Sequence, residues 1–89
     1  MQTQVLNYRI IIEPEKQGRK TVYNAYCPTL KVADYGNSID EVIESIKDGI
    51  ELAVESLVKE NKAIPIDTTK ELIATAQVKV PAGAKLFIA

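Results

Sequence analysis

Hydrophobic positions along this chain change period as it proceeds. Over residues 5–13 they alternate, with Leu6, Tyr8, Ile10 and Ile12 on one face and Asn7, Arg9, Ile11 and Glu13 on the other. A period of two predicts a half-buried β-strand. The charged stretch 14–19, with Pro14 and Gly18, interrupts the pattern, and a run rich in Thr, Val and Tyr resumes it over Lys20–Cys27. The two runs predict a hairpin with a loop of moderate length. Pro28 ends the second strand, a third short strand is expected over 31–35, and Gly36-Asn37 supplies the turn chemistry that follows it.

From Ser38 the period becomes helical. Ile39, Val42, Ile43, Ile46, Ile50, Ala53, Val54, Leu57 and Val58 fall on one side of a segment that runs to Lys62. Asp40, Glu44, Asp48, Glu51 and Glu55, spaced four, four, three and four apart, fall on the other, with only Lys47 interrupting the acid before Lys59. One face therefore packs on something, and the other shows acid to something else. Ser38 with Glu41 forms a capping box that fixes the helix start. A glycine inside a helix costs roughly 1 kcal/mol relative to alanine, and close approach to the sheet is the favoured reason for Gly49. Asn61 and Ile64-Pro65 end the helix, because proline cannot continue it and biases its predecessor toward extended geometry.

Residues 74–80 alternate small or apolar with polar side chains, which predicts a fourth strand with one wet face, stopped by Pro81-Ala82-Gly83. A strand reached through a long helix is most simply placed parallel to an existing one by a right-handed crossover. The expected fold is α+β, in the order β-β-β-α-β: a mixed four-stranded sheet with one long helix on one face. If Tyr8, Ile10, Ile12, Tyr23, Ala25 and Cys27 point at the helix, then Arg9, Ile11, Val22, Asn24 and Tyr26 point away. That leaves a mixed surface suited to a dimer or a protein partner, or simply scattered exposed apolar residues.

Length and composition narrow the function. At 89 residues the chain is expected to be a single domain, residues 1–89, and a domain of this size buries only about 60% of the surface its unfolded chain exposes, so self-association would help it. Eleven basic against twelve acidic side chains give a net charge of −1, without the positive field of a phosphate-binding protein, so no direct nucleic-acid partner is expected. Cys27 is the single cysteine and histidine is absent, so no internal disulfide, no metal site and no cofactor are expected, and Cys27 reads as a buried, unreactive thiol. No leader pattern and no apolar run approaching the ~20 residues of a membrane span is present, so the expected location is cytoplasmic.

Four pieces of the chain, in order, carry a resemblance: Tyr8-Arg9-Ile10-Ile11-Ile12-Glu13, then Tyr23-Asn24-Ala25-Tyr26-Cys27-Pro28-Thr29-Leu30, then Tyr35-Gly36-Asn37-Ser38-Ile39-Asp40-Glu41-Val42, and Ile64-Pro65. Between about Val5 and Pro65 the chain resembles the HicB-like antitoxins. The resemblance implies a partial RNase H-like fold and neutralisation of a small, basic HicA-type RNA-cleaving toxin by direct protein contact. Many members of that family append a helix-turn-helix or ribbon-helix-helix module. Here only residues 81–89 follow the expected fourth strand, so no DNA-binding module and no autorepression are expected.

The candidate partner-binding residues are Glu44, Asp48 and Glu51 on the helix, whose acid would steer a basic toxin, and Tyr26, Pro28 and Tyr35, which would supply rigid contact area near a strand end. No catalytic residue is expected. A solvated helix face and ordinary hairpin packing are the bland readings of these two groups, and Lys16, Arg19 and Lys20 read as a wet loop. The alternatives are an orphan HicB-like adaptor without a toxin and a minimal metal-dependent nuclease using Glu13, Asp34 and a helix acid.

Overall fold

Gly18, at φ 65, starts a two-residue turn that joins β1 (Ile11–Gln17) to β2 (Lys20–Cys27). A positive φ at the first central position suits a right-twisted hairpin and costs glycine nothing. The computed structural model describes residues 4–68 and 73–88. The strands pair antiparallel from Gln17↔Lys20 to Ile11↔Tyr26. Both the strand expected over 5–13 and the loop expected over 14–19 are therefore displaced toward the C-terminus. Pro14, taken from the sequence as a stop, lies inside β1 opposite Tyr23. In a hairpin closed at Gln17 and Lys20, ladder bonds to β2 come from the odd-numbered residues, so the Pro14 nitrogen faces the open edge and no bond is lost.

Strand β3 (Val32–Gly36) pairs antiparallel with β2 from Cys27↔Val32 to Tyr23↔Gly36, within one residue of its expected place. Lys31 makes the connecting turn at φ 57. The result is a three-stranded antiparallel sheet in the order β1-β2-β3, with β1 and β3 at its edges.

Helix α1 (Ile39–Lys59) starts where the sequence places it: the Glu41 backbone N–H donates to Ser38 Oγ at 3.0 Å, with Asp40 and Glu41 in the positive first turn. It ends three residues before Lys62, with Glu60 as cap and Asn61 at φ 56. Its core stripe is narrower than expected. Val42, Ile46 and Ile50 are buried against Ala25 and Cys27, with Ile12, Tyr23, Val32 and Val54 packed around them, whereas Ile39, Ile43 and Val58 are exposed. Gly49 does mark a close approach, since a Cβ there would stand 3.1 Å from Val32 Cγ1. Gly36 marks a tighter one: a Cβ would meet the Val42 backbone nitrogen at 2.9 Å.

After the helix the chain returns beside the segment preceding β1. Tyr8 Oη donates to the Pro65 carbonyl at 2.7 Å, and the Arg9 backbone N–H donates to Asp67 Oδ2 at 2.7 Å. The fourth strand expected over 74–80 does not form: residues 73–80 pair with no strand and are exposed throughout. Ala74, Ala76, Val78 and Val80 could supply one apolar face, but a strand also needs a ladder. The open edge of β1 lacks an N–H at Pro14. Among the described residues the architecture is α+β, β1-β2-β3-α1, with one helix on one face of the sheet.

Candidate functional site

Strand alternation separates the expected site residues into two groups. Residues opposite one another across a sheet share a face. Ile12, Ala25 and Asp34 are in register and look toward α1, while Glu13, Asn24 and Tyr35 are in register and look away, as do Ile11, Tyr26 and Ala33. Tyr26 and Tyr35 are diagonal neighbours on the helix-free face, where Ile11 and Tyr26 are about two-fifths exposed and Tyr35 is 70% exposed. Val22, expected on that face, is nearly buried at 9%. Pro28 is half-buried in the connection after β2. Residues 73–88 are exposed along their whole length and do not roof this surface.

Glu44, Asp48 and Glu51 lie on the opposite layer. At 100° per residue, Asp40, Glu44, Asp48, Glu51 and Glu55 occupy an arc of about 80° on α1, and all five are exposed. Among the described residues none of them enters an ion pair with the chain's own cations. The negative field of this stripe is therefore directed into solvent. The sheet core separates it from Tyr26 and Tyr35, so the two groups are two surfaces.

The acidic stripe borders a feature that sequence periodicity did not reveal. Residues 4–10 run beside α1 and leave a shallow groove lined by Val5, Leu6, Tyr8, Ile10, Ile50 and Val54 together with Lys47, Glu51 and Glu55. Apolar area bordered by charge is the usual anatomy of a protein contact. The groove exists because Tyr8 and Arg9 are tied to residues 65 and 67, more than fifty positions away along the chain, and no local pattern announces such ties. Tyr8 is pushed above its ordinary value of 10.0 by burial first, then by Cys27 and Asp67.

Asp34 has a structural partner. Ser45 Oγ on α1 donates to its Oδ2 at 2.5 Å and the Tyr35 backbone N–H donates to its Oδ1 at 2.8 Å, so the carboxyl is held below its ordinary value of 3.8, chiefly by Ser45. Glu13 faces the other side of the sheet, where its neighbour Glu15 accepts from Asn24 Nδ2 at 2.9 Å. Glu13 and Asp34 therefore do not converge on one point, and no cluster of three metal-ligating side chains occurs among the described residues. Cys27 is a free thiol with no exposed surface, inside the core. Among the described residues no helix is long and apolar enough to cross a membrane.

No family model matches the chain, and no solved structure matches it. It is 38% identical over 63 residues to the UPF0150 protein ssr1765 of Synechocystis sp., an alignment covering 70% of this chain and 76% of that protein. At that identity over that share of both chains, the chain belongs to the UPF0150 family.

Proposed function

We propose that this protein is a HicB-like antitoxin domain, a non-catalytic binding module that neutralises a HicA-type RNA-cleaving toxin in the cytoplasm by direct contact. The reading joins the sequence resemblance to one observation: the five carboxylates along one face of α1 are all exposed and, among the described residues, unpaired. A protein that grips RNA carries positive charge on its working surface. A negative face of this kind attracts that surface.

Glu44, Asp48 and Glu51 then steer the toxin. Tyr26, Pro28 and Tyr35, on the other layer, serve a second contact. The order of three antiparallel strands followed by a helix supports the partial RNase H-like reading, with residues 74–80 joining as a fourth strand once an edge is presented to them. The test is stoichiometric. A HicA-type toxin cleaving a labelled RNA is titrated with this protein: cleavage stops near one equivalent and the two proteins co-elute. Undiminished cleavage at large excess overturns the reading.

A further inference from the structure

Residues 73–88, the arm, are exposed along their whole length in a chain whose total surface is large for its mass. A compact monomer of 9.8 kDa exposes about 5,200 Å², whereas this chain exposes 8263 Å². Its radius of gyration is 18.1 Å, against about 12 Å for a compact domain of this length. The excess, about 3,000 Å², is larger than the whole surface buried in a standard protein–protein contact. The exposed side chains at its end are the kind normally found inside: Leu86 is 80% exposed, Phe87, the single phenylalanine, 87%, and Ile88 100%.

The arm also has a charge. Residues 73–88 contain Lys79 and Lys85 and no acid, and the groove beside α1 is apolar, with two acids, Glu51 and Glu55, against one base, Lys47, around it. We infer that Lys85, Leu86, Phe87 and Ile88 of one copy dock in the groove of a second copy, reciprocally, giving an arm-exchanged homodimer. Leu86 and Phe87 lie against Val5, Leu6 and Val54, and Lys85 meets Glu55. The arm does not reach this groove in its own copy, since its end stays in solvent, and a two-fold exchange fills both grooves with one kind of contact. The inference does not depend on the toxin reading.

The experiment uses the 89-residue chain without any toxin. Sedimentation at tens of micromolar gives wild-type chain at twice 9.8 kDa, while Phe87→Asp and Leu6→Asp each sediment as monomers with unchanged far-ultraviolet dichroism. Both positions are on exposed segments, so neither substitution enters the core. Mixing the two variants gives a heterodimer weaker than wild type but tighter than either variant alone, because the intact arm of the Leu6→Asp chain fits the intact groove of the Phe87→Asp chain while the other contact is lost. A monomeric wild type or a Phe87→Asp variant that remains dimeric overturns the inference.

Discussion

Ser45 on α1 donates its hydroxyl to the Asp34 carboxylate on β3 at 2.5 Å, which clasps the helix to the edge of the sheet. Because this bond, followed by the Tyr35 backbone N–H, lowers the folded-state value of Asp34 below 3.8, the clasp has a pH signature. A depressed carboxylate contributes stability that is present above its unfolded value and lost as pH falls through the folded one. Chemical-shift titration should show Asp34 of Ser45→Ala moving up toward 3.8. Urea midpoints measured below about pH 4 should fall less steeply for the variant than for wild type. Parallel pH profiles would show that the clasp is not formed in solution.

The closest approach of helix to sheet predicts an order of effects at two glycines. A Cβ at Gly36 would stand 2.9 Å and 3.1 Å from the Val42 backbone nitrogen and Cα, atoms that cannot turn aside. Gly36→Ala should destabilise by about 1–3 kcal/mol. At Gly49 the crowding atom is a single side-chain methyl, Val32 Cγ1 at 3.1 Å. Alanine there also gains about 1 kcal/mol of helix propensity. Gly49→Ala should therefore cost clearly less than Gly36→Ala in the same urea titration, and the reverse order would contradict the packing described.

Ser38 caps α1 through its hydroxyl. Ser38→Ala should lower stability by about 1 kcal/mol, and Ser38→Asp should stay close to wild type, because an aspartate oxygen caps the same N–H. Equal losses in both variants would mean that the cap contributes through something other than that bond.

The Tyr8 hydroxyl holds residue 65 beside the segment that precedes β1. Tyr8→Phe should cost about 0.5–1.5 kcal/mol. It should also raise amide hydrogen exchange in residues 64–68 more than in β2, and uniform acceleration would place the loss in global stability instead of in this tie.

The elements written locally in the sequence were the legible ones. Strand β2 and the start of α1 are specified by alternation and by the Ser38 cap, and the acidic ladder follows from spacing alone. Where a feature depends on distant residues, pattern was silent or misleading. Pro14 looks like a terminator until the two-residue turn at Gly18 sets the register that leaves its nitrogen on an open edge. Residues 74–80 carry a strand's alternation, but alternation specifies only a face, and a strand also needs an edge to pair with. The groove beside α1 depends on the ties of Tyr8 and Arg9 to residues 65 and 67 and has no local signature. The expected site residues are present as two surfaces because Tyr26 and Tyr35 sit on one layer and Glu44, Asp48 and Glu51 on the other.

The central claim, that the exposed acid of α1 steers a basic protein partner, is tested most directly by association kinetics with a HicA-type toxin across a salt series. Wild-type protein should associate quickly at low salt and slow steeply as ionic strength rises. The triple variant Glu44→Lys, Asp48→Lys, Glu51→Lys should associate at least about tenfold more slowly at low salt, with a flattened salt dependence and an unchanged fold. Identical rates and salt slopes for the two proteins would contradict the account.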